Sequence, residues 1–302
     1  WHCKRSGMTL GFPFRSLLEL GSNKMRRLFV LSWFLSFGSY CGAQEIEESV
    51  RFHASFDRGV DADFATGDRV VYSAETVARE KITRGLPAEG VRHLRQGGKF
   101  GGYLAFDKKI EAVVMYQGLD NIELADNAAV TVSFWMKLSP ATDLPKGYVD
   151  PLQITDKKWN DASIFVDFTP DNPRQFRLGI FSDYRVWNPE DTPWDKVAED
   201  DRPMIPVTQP PFKGESWTHV ALTLEDVNAE SEGVAMLYLD GKQVGERKGP
   251  LEFTWDPQKV AIMIGIYYVG GFDELTIFDR ALDDTEIAQL MKRQVGIGAR
   301  LK

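Results

Sequence analysis

Cysteine and histidine are scarce in this sequence. Cys3 and Cys41 are the only two cysteines among 302 residues, and both precede the region predicted to fold. A domain that begins after Cys41 can form no internal disulfide and has no thiolate for catalysis. The four histidines show no spacing typical of a metal-binding cluster, so the sequence gives no support for a histidine-based metal centre.

Basic residues are also in deficit, with 36 Lys and Arg against 44 Asp and Glu. If residues 1–43 are removed, 30 basic and 43 acidic side chains remain, a formal charge of −13. Such a domain has no basic surface for the phosphates of duplex DNA or for anionic lipid headgroups. Nucleic acid is therefore excluded as a predicted partner.

A predicted signal peptide occupies residues 25–43. Met25-Arg26-Arg27 gives a basic start, residues 28–40 are apolar, and small residues follow Cys41 at a cleavage point before Gln44. The sequence thus predicts a secreted, periplasmic or cell-envelope protein with no membrane insertion after cleavage. A buried core helix, an uncleaved anchor and a lipid anchor at Cys41 are the alternatives. Residues 1–24 are interpreted as non-native upstream sequence.

Stretches with helical periodicity are almost absent after residue 44. Short alternating runs follow one another between turn-forming residues, which is typical of an all-β sandwich or jelly roll. Predicted strands include residues 50–56, 103–106, 130–138, 163–168, 176–181, 217–224, 234–239, 243–246, 260–266 and 272–278. Asp240-Gly241 predicts a hairpin turn, and Asp283 or Asp284 is expected to cap one short C-terminal helix.

Several ordered motifs carry a family resemblance. They are VSFWMK at 132–137, WTHVAL at 217–222, LYLDGK at 237–242 and GGFDELTIFDRAL at 270–282, with further matches at 52–57 and 101–106. Together they resemble the laminin-G-like, concanavalin A-like lectin and glucanase superfamily. The resemblance implies a two-sheet antiparallel jelly-roll sandwich over residues 44–294, with binding or catalysis on a concave face or at loop edges. Residues 295–302 are expected to be a frayed tail.

The same resemblance implies a structural calcium ion. Its ligands would be Asp57, Gly101 or Gly102, and Asp273 on the last strand, and backbone carbonyls could complete the six to eight oxygens that calcium needs. The alternative is that Asp273 only caps a turn or pairs with Arg280. Asp61, Asp63 and Asp68 are further acidic candidates.

Catalytic signatures of the superfamily are missing. Hydrolase members carry a Glu-x-Asp-x-x-Glu strand that supplies two carboxylates, and no such pattern occurs here. The sequence therefore favours a non-catalytic domain. The rival hypothesis is a glycan hydrolase or lyase with an atypical site around Asp183, Asp191, Tyr184 and Arg185.

Residues 182–212 form a long proline-rich insertion. Tyr184, Arg185, Trp187 and Trp194 lie in it, and Trp159 is a loop aromatic of the same kind. Aromatic faces stack on sugar rings, so these five residues are the predicted ligand-binding set for a carbohydrate or surface polymer. The alternative is that they pin the loop onto the sandwich. A third hypothesis is an adhesive module that binds protein partners.

Overall fold

The structure, a computed structural model, describes residues 44–301. The predicted signal peptide at 25–43 and the upstream residues 1–24 lie outside the described residues. Within residues 44–301, no helix is both long enough and apolar enough to cross a membrane.

The described residues are almost entirely β-structure. The strands in chain order are β1 (Val50–Ala54), β2 (Phe64–Ala65), β3 (Tyr72–Ala74), β4 (Ile82–Arg84), β5 (Val91–Leu94), β6 (Tyr103–Phe106), β7 (Val113–Gln117), β8 (Ala128–Lys137), β9 (Val149–Lys158), β10 (Asp161–Phe168), β11 (Phe176–Phe181), β12 (Met204–Val207), β13 (Thr218–Val227), β14 (Gly233–Leu239), β15 (Lys242–Gly249), β16 (Ala261–Ile266) and β17 (Gly270–Phe278). The α-helices are α1 (Gln44–Glu48), α2 (Pro140–Asp143), α3 (Tyr184–Trp187) and α4 (Asp284–Lys292), and short 3-10 helices cover Trp194–Lys196, Glu199–Asp201 and Ile297–Ala299.

These strands form two antiparallel sheets. The first sheet runs β15-β14-β13-β8-β17-β1-β2, with β6 also paired to β17 and β5 paired to β6. The second sheet runs β12-β11-β10-β9-β16-β7-β3-β4. The predicted two-sheet antiparallel sandwich with a short C-terminal helix is therefore confirmed.

Alternation along the strands builds the core between the sheets. On β8, Val132, Phe134 and Met136 are fully buried in the main core cluster. Phe134 stacks on Phe272 of the neighbouring β17 with ring centroids 5.0 Å apart. The turn between β14 and β15 has positive φ at both Asp240 and Gly241, as the Asp-Gly signal predicts.

Helix α4 closes the outer face of the first sheet. Asp283 accepts a hydrogen bond from the Glu286 backbone N–H and the Glu286 side chain accepts one in return, which forms a capping box. Ile287 and Leu290 are buried in one cluster with Tyr238 of the sheet. The helix therefore lies on the sheet through its apolar side.

The tail predicted to fray is instead packed as far as residue 301, which corrects that expectation. Ile297 is buried in the same cluster as α4, and Gly298 lies so close to His53 that a Cβ atom would be 2.7 Å from Nε2. The physical reason is that Ile297 buries apolar surface against α1 and the sheet, which a pattern search within the tail cannot detect.

Two segments border the outer face of the second sheet. Residues 75–81, between β3 and β4, reach over it through Arg79, whose Nη2 donates to the Asp156 carbonyl at 2.9 Å. Residues 182–203, between β11 and β12, are held by a hydrogen bond from the Asp183 N–H to the Glu252 carbonyl at 2.7 Å. A groove is left between them.

Candidate functional site

The floor of this groove is set by strand register. Phe165 on β10 lies opposite Gln153 on β9 and Gly179 on β11. A Cβ atom at residue 179 would lie 2.5 Å from a ring carbon of Phe165, so glycine leaves the space for that ring. The next row pairs Asp167 with Arg177, and Asp150 with Ile266.

The groove has a volume of about 530 Å³, within the range of small-ligand sites. Its lining is mostly apolar with a few charged groups: Val77, Ala78, Tyr148, Asp150, Gln153, Lys157, Lys158, Trp159, Phe165, Asp167, Arg177, Trp194, Met204, Ile266 and Tyr267. The groove therefore has aromatic side chains at its rim and the polar residues Asp150, Gln153, Asp167 and Arg177 in its floor.

Four aromatic side chains form its rim. Tyr148 is 51% exposed and Trp159 is 41% exposed, although most large apolar side chains of the described chain are covered. Trp159 meets Trp194 edge to face, with centroids 5.4 Å apart. Tyr267 has a φ of +57°, in the left-handed region that non-glycine residues enter infrequently. Tyr148 and Trp159 therefore leave aromatic surface accessible to a ligand in the groove.

An ion pair lies in the floor. Arg177 donates from Nε to Oδ1 of Asp167 at 2.9 Å and from Nη2 to Oδ2, so both carboxylate oxygens are engaged. Asp167 is buried and the Arg177 side chain is only 12% exposed. Such a bidentate pair fixes both side chains in one geometry.

Asp150 is the second carboxyl group of the floor. Burial, together with the nearby Asp167 carboxylate, raises the pKa of Asp150 well above its usual range, and Arg177 opposes that rise. The Asp150 carboxyl group forms no hydrogen bond among the described residues, so it is available to a ligand.

Two of the five predicted ligand-binding residues line the groove, namely Trp159 and Trp194. Trp187 lies beside it, half-buried, with its Nε1 donating to the Asn160 carbonyl at 2.9 Å. Tyr184 donates from its hydroxyl to Asp191 at 2.6 Å, and the Arg185 guanidinium lies over the Tyr184 ring. These last three residues do not contribute to the groove lining.

The carboxylates suggested for an atypical catalytic site have other partners. Asp183 accepts hydrogen bonds from the backbone N–H and hydroxyl of Thr254 and pairs with Lys157 at 3.1 Å. Asp191 accepts the Tyr184 hydroxyl. Both carboxylates thereby hold the insertion in place.

Sequence reasoning missed most of the floor and half of the rim. The missed residues are Tyr148, Asp150, Gln153, Asp167, Arg177 and Tyr267. The available signal was charge inside apolar strands, because Asp167 interrupts the run 163–168 and Arg177 the run 176–181. Two opposite charges at facing positions of neighbouring strands indicate a cross-strand pair.

The residues predicted to bind calcium lie together at another part of the sandwich. Asp57 accepts a hydrogen bond from the Gly102 N–H at 2.9 Å, and Asp273 accepts one from the Lys99 N–H at 2.6 Å. Burial raises the pKa of Asp273 to about 8, and the Asp57 carboxylate contributes to the rise. Two carboxylates thus converge on one loop, residues 98–102.

Glycines bring that loop close to both carboxylates. A Cβ atom at Gly101 would collide with Asp57, and one at Gly98 would lie 2.7 Å from Oδ2 of Asp273. No cluster of three or more acidic, histidine or cysteine side chains suited to a metal occurs among the residues described. The set still fits calcium, because backbone carbonyls can supply several oxygens. Arg280 forms an ion pair with Glu286, and the Asp273 carboxylate instead accepts the hydrogen bond from the Lys99 N–H.

The fold and the groove define a β-sandwich with a cleft on the outer face of one sheet. A family model for the concanavalin A-like lectin/glucanases superfamily matches residues 115–288, more than half of the chain. The chain belongs to this superfamily. No curated protein matches the chain.

Two solved structures illustrate the fold. Domain 4 of AbnA, a GH43 extracellular arabinanase from Geobacillus stearothermophilus, in complex with arabinotriose, has a TM-score of 0.50 at 14% identity, over 81% of this chain and 100% of that domain. The botulinum neurotoxin serotype D binding domain has a TM-score of 0.52 at 14% identity, over 83% of this chain and 53% of that chain. This chain thus spans about half of the toxin domain. At these identities the likeness shows the fold alone.

Proposed function

We propose that this protein is a carbohydrate-binding module and that the groove on the second sheet is its binding site. The observation that carries the proposal is the pairing of exposed rim aromatics with a polar floor in one cleft of about 530 Å³. Aromatic rings stack on the apolar C–H faces of sugars, while Gln153 and Asp150 can hydrogen-bond their hydroxyls. The arabinotriose bound to the AbnA domain supports the proposal for the fold in general.

A non-catalytic role follows from the floor carboxyls. Hydrolysis of a glycosidic bond needs two carboxyl groups that act on the substrate. Arg177 holds both oxygens of Asp167, which leaves Asp150 as the one carboxyl of the groove lining without a hydrogen-bond partner among residues 44–301. We therefore favour binding over cleavage.

Titration calorimetry with a panel of oligosaccharides tests the proposal. Trp159→Ala should weaken binding about tenfold or more, since it removes one stacking face of the rim. Arg185→Ala is the matched control, because Arg185 lies in the insertion but outside the groove, and its affinity should stay within twofold of wild type. Equal losses in both variants would contradict the placement of the site.

We also propose that Asp57, Asp273 and carbonyls of the loop 98–102 hold a structural calcium ion. A bound cation would compensate the burial of the Asp273 carboxylate. Calcium at one hundred times its dissociation constant should raise the free energy of unfolding by about 2.7 kcal/mol, and Asp273→Asn should abolish that gain. If a chelator leaves the unfolding midpoint of the wild type unchanged, the proposed calcium site is contradicted.

We also propose that the protein is exported and that the module is secreted, periplasmic or attached to the cell envelope. The support is the predicted signal peptide at 25–43. The N-terminus of the protein recovered outside the cytoplasm should be Gln44. Recovery of intact residues 25–43 in the cytoplasmic fraction would contradict it.

A further inference from the structure

Positive side chains accompany the aromatic rim of the groove. The Lys109 ammonium lies 4.4 Å from the centroid of Tyr267, and the Arg202 guanidinium lies 4.6 Å from Trp194. Lys158 lines the groove next to Trp159. Tyr267 and Trp194 thus each have a cation over the ring, although Lys109 and Arg202 do not themselves line the groove.

These three cations lack carboxylate partners. Among residues 44–301, none of the side chains of Lys109, Lys158 and Arg202 forms an ion pair, and the Arg202 side chain donates one hydrogen bond, from Nε to the Val197 carbonyl at 3.2 Å. Their chain neighbours behave differently, since Lys108 pairs with Glu89 at 2.7 Å and Lys157 pairs with Asp183. Lys109, Lys158 and Arg202 therefore carry positive charge beside the groove that a ligand could pair with.

Neither carboxyl group of the floor, Asp150 or Asp167, forms an ion pair with these three cations. Asp167 is neutralised by Arg177. Burial raises the pKa of Asp150 well above its usual range, which favours its neutral form. The groove therefore combines stacking surfaces with nearby cations that lack ion-pair partners, over a floor in which Asp167 is paired with Arg177.

We propose that the groove binds an anionic polysaccharide, whose sugar rings carry carboxylate or sulfate groups that pair with Lys109, Lys158 and Arg202. The inference rests on the proposed function and names its ligand class. Stacking would hold the ring, and each cation would contact an anionic substituent at its edge. The net negative charge of the domain means that attraction comes from these local contacts.

The experiment begins with a glycan array that carries uronate-containing, sulfated and neutral oligosaccharides, probed with the full chain. The strongest ligand is then titrated beside its neutral counterpart, which is the methyl ester of a uronate or the desulfated form of a sulfated glycan. The anionic member should bind at least about tenfold more tightly, and salt should weaken its binding alone. Whether carboxylate or sulfate is preferred follows from which arm of the array is bound.

Charge removal tests the named residues. The triple variant Lys109→Gln, Lys158→Gln, Arg202→Gln should lose roughly a hundredfold in affinity for the anionic glycan, at about fivefold for each ion pair, and less than twofold for the neutral one. The control triple variant Lys108→Gln, Lys213→Gln, Lys242→Gln removes the same charge from exposed positions outside the groove lining. It should bind as wild type does.

The outcomes separate this inference from the proposed function. Neutral glycans that bind as tightly as anionic ones, or a triple variant that weakens both classes alike, would overturn the inference and leave the binding module standing. In the second case the cations only hold the aromatics in place. An array with no bound glycan of any class would overturn both.

Discussion

The outer face of the first sheet is covered, whereas the outer face of the second sheet is accessible. On the first sheet, α4 and the packed tail cover the strands, and Ile287 and Leu290 bury apolar surface against Tyr238. On the second sheet, neighbouring segments only border the strands and leave a cleft with an ion pair in its floor. One sandwich thus uses one face for stability and keeps the other accessible.

The difference in chemistry explains this division. A face closed by aliphatic side chains gains free energy from each buried methyl group. A buried ion pair such as Asp167–Arg177 gains little net stability, because desolvation offsets the attraction. We therefore expect the pair to contribute more to ligand binding than to stability, and we expect the two faces to respond differently to mutation.

The largest effect is expected from breaking the floor ion pair. Arg177→Met leaves the Asp167 carboxylate buried without its partner and should lower the free energy of unfolding by about 3–5 kcal/mol. The double variant Arg177→Met, Asp167→Leu removes both charges and should regain most of that loss in denaturant unfolding. Ligand affinity should nevertheless stay low in the double variant. A double variant that remains as unstable as the single one would mean that the pair serves the fold.

A cavity on the closed face should give the next largest effect. Ile287→Ala removes side-chain atoms that are fully buried and should cost about 2–4 kcal/mol of unfolding free energy. Its affinity for glycan should equal that of the wild type, because α4 is remote from the groove lining. A parallel loss of affinity would contradict the separation of the two faces.

A smaller, pH-dependent effect should arise from His219 on the closed face. Burial lowers the pKa of His219 to about 3, and the Lys99 ammonium adds to the shift. Because the folded-state pKa is below the unfolded value of about 6.5, the stability from neutral His219 is full above pH 6.5 and is lost as the pH falls toward 3. About 1–2 kcal/mol should disappear between about pH 7 and pH 5.

Comparison with His219→Gln isolates that contribution. Burial raises the pKa of Asp273 to about 8 and that of Glu274 to about 9, so these two groups increase the free energy of unfolding as the pH falls. They are present in both proteins, so the difference in unfolding free energy between wild type and variant should shrink as the pH falls. A constant difference would show that His219 is protonated without cost.

Short sequence patterns predicted the strands, the hairpin turn and helix α4 well, because neighbouring residues largely determine these elements. The alternation of apolar and polar residues predicted which face of β8 packs in the core. Asp240-Gly241 predicted the hairpin between β14 and β15, because that turn requires positive φ at both residues. Capping chemistry located α4 at Asp283. The packed tail was not predictable in this way, since Ile297 is buried by partners far away in the chain.

The site was predictable only in part for the same reason. Trp159 and Trp194 were visible as aromatics in loops. The floor depends on register, which places Asp167 against Arg177 and Asp150 against Ile266 across separate strands. Nor can a sequence show that Lys109 lacks a carboxylate partner while Lys108 has one.

The most direct test of the central claim is a crystal structure of the chain with its highest-affinity oligosaccharide. We expect a sugar ring stacked on Trp159 in the groove of the second sheet, with polar contacts to Gln153 and Asp150. An oligosaccharide bound elsewhere, for example against Tyr184 and Arg185, with the groove free of sugar, would contradict it.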